Sequence, residues 1–243
     1  MNSNGQQSVP GGSASSRARL YLRIFWIAAL FFSIVLGIRF YSLQPREPVY
    51  DGKPLSHWLD QIGSDPRHAK DALRVVQAIG TNAIPWLLAE LETESLWRYR
   101  ANRFLDRQGV IRFRFRNPDE RRNRAPWGFF ALGSEARAAI PSLAERSRER
   151  PDMDHLRALA YCGTDAIPFL CDKLTHDQSP GNTALAIRSA VSYGQISVSE
   201  AHEFVPALTQ LLQSSNAYTT NKAHHTLKVI MEMTAKGPTR VAQ

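Results

Sequence analysis

Ala78-Ile79-Gly80-Thr81-Asn82-Ala83-Ile84-Pro85-Trp86-Leu87 returns further along the chain as Tyr161-Cys162-Gly163-Thr164-Asp165-Ala166-Ile167-Pro168-Phe169-Leu170. In both copies an apolar run stops at glycine, a residue suited to ending a helix. Asn82 and Asp165 are the expected N-caps of the next helix. The proline then falls in the first helical turn, where its missing N–H costs nothing. Looser copies are Ala139-Ile140-Pro141-Ser142-Leu143 and Val205-Pro206-Ala207-Leu208. Leu follows two residues after the proline in all four copies, at Leu87, Leu143, Leu170 and Leu208. The prolines are 56, 27 and 38 residues apart, the mark of a repeat array in which the longest gap holds an insertion.

The flanking sequence is helical by its spacing. Leu55, Trp58, Leu59 and Ile62 share one face, and Ala69, Ala72, Leu73, Val76 and Ile79 share another. Further stripes are Leu156-Leu159-Ala160-Cys162, Ala184-Ile187-Ala190-Val191 and Ala223-Leu227-Ile230-Met231-Thr234. These define about five antiparallel helix pairs, at 55–80, 82–132, 134–162, 165–195 and 203–235, with no real β-sheet. No pair can bury its apolar face alone, so neighbours must stack. Cys162 and Cys171 align with the apolar positions Ile79 and Leu88 and are expected as core thiols rather than a disulfide.

The 78–87 and 161–170 runs, together with Ala131-Leu132-Gly133-Ser134-Glu135-Ala136 and Arg188 early in its helix, resemble HEAT-repeat proteins over about residues 66–235. Asp51-Gly52-Lys53-Pro54-Leu55-Ser56-His57-Trp58-Leu59 is similar to the entry segment of single-span bacterial HEAT proteins. The resemblance implies an all-α, HEAT-like α-solenoid over 51–243. It implies no particular activity, because a shared fold does not carry a shared function.

The insertion, at about 94–124, breaks the helical pattern. Its residues 98–124 contain Arg98, Arg100, Arg103, Arg107, Arg112, Arg114, Arg116, Arg121, Arg122 and Arg124, against Asp106, Asp119 and Glu120. Ile111-Arg112-Phe113-Arg114-Phe115-Arg116 alternates with the period of a strand. Two readings compete: a solvated loop covering the solenoid edge, or a surface for anions, since guanidinium groups bind phosphate and carboxylate in bidentate fashion.

Residues 1–19 are expected to be a disordered tail, and 44–50, with Pro45 and Pro48, a stiff linker. Between them, Ile24–Ile38 is a 15-residue uncharged run. At 1.5 Å per residue it covers about 22 Å of the roughly 30 Å hydrocarbon core. Extension to Leu20–Leu43 gives about 36 Å if Arg23 and Arg39 snorkel. We read 20–43 as an uncleaved transmembrane helix; a cleaved signal, although no small-x-small site follows the run, and a peripheral helix are the competing readings. Arg17, Arg19 and Arg23 precede it and Arg39, Arg46 and Lys53 follow it, so the positive-inside count is even. The reading adopted has a cytoplasmic N-terminus and an exported, periplasmic C-terminal domain.

The net charge is +8, but residues 1–46 hold five Arg and no acid, leaving +3 for the remainder. That near balance argues against nucleic acid as the partner. None of the seven His lies in a His-Glu-x-x-His pattern, and with two Cys a four-thiolate zinc site is excluded. There is no phosphate-binding Gly-Lys-Ser/Thr loop and no Gly-x-Ser-x-Gly elbow. No catalytic, cofactor or metal residue is therefore assigned. The expectation is a non-catalytic scaffold in the membrane with an unidentified protein partner. The alternatives are an anion- or nucleic-acid-binding protein using the insertion, with anionic lipid headgroups as one ligand, or an enzyme of the HEAT-type lyase kind.

Overall fold

A computed structural model describes residues 45–64, 66–92, 118–149 and 152–236, together with Trp26, residues 31–33 and Val35. The disordered-tail reading and nearly all of the 20–43 reading fall outside these residues, as does the insertion up to residue 117. Trp26, residues 31–33 and Val35 are helical. Among the described residues, no helix is long and apolar enough to cross a membrane.

The chain divides into two compact units, 1–45 and 46–243. The second unit is mostly helical. It opens with a hairpin of two-residue strands, β1 (Val49–Tyr50) and β2 (Lys53–Pro54), paired antiparallel. Its turn is Asp51-Gly52, with φ of 50° and 70°, the left-handed pair that two-residue hairpins favour. The helices that follow are α1 (Leu55–Ser64), α2 (Pro66–Ile79), α3 (Ile84–Leu91), α4 (Pro118–Leu132), α5 (Ile140–Glu149) and α6 (Met153–Tyr161). They continue as α7 (Ile167–His176), α8 (Pro180–Ser192), α9 (Val198–Ala201), α10 (Val205–Leu211) and α11 (Ala217–Lys236).

Contacts follow the pairing read from the sequence. Helices α1 and α2, α3 and α4, α5 and α6, α7 and α8, and α10 and α11 pack on each other. The second member of each pair also packs on the second member of the next, linking α2, α4, α6, α8 and α11 in chain order. Leu87, Leu143, Leu170 and Leu208 are all fully buried. Leu87 lies against Gly128 of α4, where a Cβ would come within 2.4 Å of the Leu87 methyl. Leu55, Leu59, Ala72, Val76, Leu156, Leu159, Ala184, Ile187, Ala190 and Val191 are buried as their spacing requires.

The turns that precede the prolines differ from expectation. Asn82 and Asp165 are not N-caps. Short 3₁₀ turns occupy Gly80–Ala83, Gly133–Ala139, Thr164–Ala166 and His202–Phe204, and the caps Ala83 and Ala166 make no side-chain bond. In all four copies the residue before the proline donates its N–H three residues back: Ile84 to Thr81, Ile140 to Arg137, Ile167 to Thr164 and Val205 to His202. The turn's own carbonyls thus satisfy a donor that a capping side chain would otherwise take. Asp165 instead faces Arg137 at 3.5 Å.

Other corrections concern edges and faces. The linker is not a free spacer up to residue 50: the Leu55 N–H donates to the Pro48 carbonyl at 2.9 Å, and the Ser56 N–H to Glu47 Oε1 at 2.6 Å. The compact unit therefore begins at Arg46, not 51. Helix α4 begins at Pro118, so Arg121, Arg122 and Arg124 belong to it rather than to an irregular insertion. On α11 the buried stripe is Ala223, Thr226, Leu227 and Ile230; Met231 is 60% exposed and Thr234 is exposed. The Thr226 hydroxyl donates to the Ala184 carbonyl at 2.9 Å, which sets the face that α11 turns to α8.

Candidate interaction surface

Of the ten insertion arginines, Arg98, Arg100, Arg103, Arg107, Arg112, Arg114 and Arg116 lie outside the described residues, and so does the alternating 111–116 run. Arg121 and Arg122 are placed in the first turns of α4. Arg124 is 4% exposed, with its guanidinium 3.3 Å from Asp60 of α1. It joins α1 to α4 and contributes nothing to an open anion-binding surface. Periodicity could not separate it from its neighbours, because its partner is far away in sequence.

The structure assembles a site that sequence spacing missed. Trp127 and Phe130 lie one turn apart on α4, Tyr161 ends α6, and Tyr193 follows the last residue of α8. All six pairings of these rings have centroids 5.5–6.2 Å apart, one of them stacked (Trp127 on Tyr161, 29° between planes) and the rest edge-on. Spacings in this range are those of favourable aromatic packing. The rings fill one another, so no cage is left for a cation between them.

Exposure across the cluster is graded. Tyr161 is 3% exposed, Trp127 and Phe130 are half-buried, and Tyr193 is 53% exposed. Burial pushes the Tyr161 phenol up to about 12; Arg157 and a hydrogen bond with Ser189 pull the other way but do not offset it. That phenol stays protonated across the physiological range and is a contact group, not a base. The sequence signal for the cluster was an aromatic one or two residues before a stop-glycine, Tyr161 before Gly163 and Tyr193 before Gly194.

A polar cleft of about 370 Å³ lies at the C-terminal ends of α5 and α7, lined by Arg148, Asp172, Lys173, His176 and Asp177 among others. Its charges are engaged with one another. Arg148 Nη2 and His176 Nδ1 each lie 3.1 Å from Asp172, and Lys173 Nζ donates to Asp177 at 3.0 Å and to the Ser147 carbonyl at 2.7 Å. The buried Lys173 thereby closes a carbonyl at the end of α5 and ties α7 to it.

Both cysteines are free thiols. Cys162 is buried, donates to the Ala158 carbonyl at 3.2 Å, and is pushed up to about 12 by desolvation. Cys171, half-buried, is also raised, by burial first and then by Glu203. A nucleophilic thiol needs the opposite shift. Among the described residues, no group of three or more His, Cys, Asp or Glu could hold a metal ion. His155, for example, is a core residue whose Nδ1 lies 2.7 Å from Asp152, the N-cap of α6.

Compared with protein-family models, curated proteins and solved structures, the chain has no match.

Proposed function

We propose that the chain is a membrane-anchored, non-catalytic scaffold. In this reading the helix pairs form a HEAT-like solenoid that presents a surface to a protein partner. The anchor lies at 20–43, with the N-terminus cytoplasmic and the helical unit exported. The observation that carries the reading is the chain-order packing of α2, α4, α6, α8 and α11, each on the next. Nearest-neighbour stacking of similar pairs is how repeat proteins build extended binding surfaces. The aromatic cluster crosses three of these helix pairs and exposes Tyr193, and aromatic residues are enriched where proteins bind proteins. A photo-crosslinking residue in place of Tyr193 in the full chain should give a discrete protein adduct in cells, whereas one in place of Met231 should not. No adduct from position 193, or equal labelling from both, counts against this surface.

Anion binding by the insertion is the second reading, on charge alone: without Arg124, residues 98–123 still hold nine Arg against three acids. Nothing among the described residues marks a tetrapyrrole site of the kind the lyase reading needs.

A further inference from the structure

The opening hairpin leaves Val49 64% and Tyr50 42% exposed. Arg46, Lys53 and Pro54 around them are exposed too. An aliphatic residue and a tyrosine side by side on so short a strand gain little from the core. The register sets Tyr50 beside Lys53 and Val49 beside Pro54. Lys53 Nζ stands 5.0 Å from the centre of the Trp58 ring. Tyrosine, tryptophan, lysine and arginine together are the residues that collect at the headgroup layer of a bilayer, with apolar bodies inward and polar ends in water.

The hairpin is held in place. Its turn has two left-handed residues, and the bonds from Leu55 to Pro48 and from Ser56 to Glu47 fix its base on α1. The second bond turns the Glu47 carboxylate onto the helix, so Asp51 at the turn is the acid that faces outward with the cations Arg46 and Lys53. In sequence, five residues lie between Leu43, the end of the apolar segment, and Val49, a tether of at most about 20 Å. A tethered contact is an intramolecular event, so two side chains suffice where a free protein would need a larger patch.

We propose that the Val49–Lys53 hairpin is an interfacial foot that docks on the anionic headgroup layer of the bilayer holding the apolar segment. The inference rests on the membrane-anchor reading above. Its test uses the full chain, with Cys162→Ala and Cys171→Ala, in vesicles of phosphatidylcholine containing phosphatidylglycerol. An environment-sensitive fluorophore is attached through Tyr50→Cys or, separately, Val49→Cys, with the exposed Met231→Cys as control. The label at 49 or 50 should emit at shorter wavelength and be quenched by headgroup-nitroxide lipid at least about twofold more than the control. The effect should weaken in vesicles of phosphatidylcholine alone. A label at both positions that behaves like the control, in protein that resists alkaline carbonate extraction, overturns the foot and leaves the anchor standing. Release by carbonate overturns the anchor, and the inference with it.

Discussion

Gly128 has no side chain because Leu87 occupies the space one would need. A Cβ there would stand 2.4 and 2.7 Å from the two Leu87 methyls, and Leu87 is fully buried. Gly128→Ala should therefore cost about 1–3 kcal/mol by overpacking. Leu87→Ala should cost about 2–5 kcal/mol, the removed contacts plus the residual cavity. Made together, they should cost less than their sum by about 1 kcal/mol or more, because the added methyl fills part of the space the leucine left. Urea unfolding of the two single variants and the double variant measures this coupling. Additive values would mean that the α3–α4 contact is not built on this pair. The leucine was legible in the sequence, two residues after each repeat proline. The glycine was not, because nothing local to 128 shows which side chain crosses it.

At the scale of elements, helix faces were legible and their connections were not. A stripe such as Ala184-Ile187-Ala190-Val191 is fixed by helical spacing alone. A 3₁₀ turn depends on bonds three residues back, which Asn82 and Asp165 suggested no better than a cap. The aromatic cluster was further out of reach, since Trp127, Phe130, Tyr161 and Tyr193 meet only once three helices lie side by side. Other caps do rest on side chains, Asp152 before α6 among them. Before α9, Ser197 and Glu200 form a capping box: the Glu200 N–H donates to Ser197 Oγ, and Glu200 Oε2 accepts from the Ser197 N–H at 2.9 Å. The Thr164 hydroxyl also donates to Glu200 Oε1 at 2.9 Å, joining the turn before α7 to α9. The bonds from Ser197, then that from Thr164, hold the Glu200 carboxyl below its ordinary range. A carboxyl depressed on folding adds stability above its unfolded pKa, and that stability is lost as pH falls through the folded value. Glu200→Gln keeps an acceptor in the box. It should shallow the loss of Tm on acidification from neutral pH to below the carboxylate range. An unchanged Tm–pH slope would show that Glu200 is too solvated to matter.

At the scale of the whole molecule, the described helices meet nearest neighbours in chain order. On α11, Asn221, His224, His225, Lys228 and Glu232 are exposed, a polar face opposite the stripe that packs on α8. Charge is divided along the chain as well. Residues 1–46 carry five Arg and no acid, and residues 98–124 carry ten Arg against three acids. If the proposed anchor holds, what that second cluster can meet depends on the side of the membrane it occupies. In an exported unit it meets lipid headgroups or acidic proteins; in a cytoplasmic one nucleic acid returns as a ligand, at a strength set by salt. The even count of Arg17, Arg19 and Arg23 against Arg39, Arg46 and Lys53 leaves the orientation to experiment. An alkaline phosphatase fused after Gln243 should be active and a fluorescent protein at the same place dim, because the phosphatase folds outside the cytoplasm. The reverse pattern would put the helical unit inside. The arginine cluster would then be tested first for salt-sensitive binding to nucleic acid, with Arg112, Arg114 and Arg116 changed to Gln as the control.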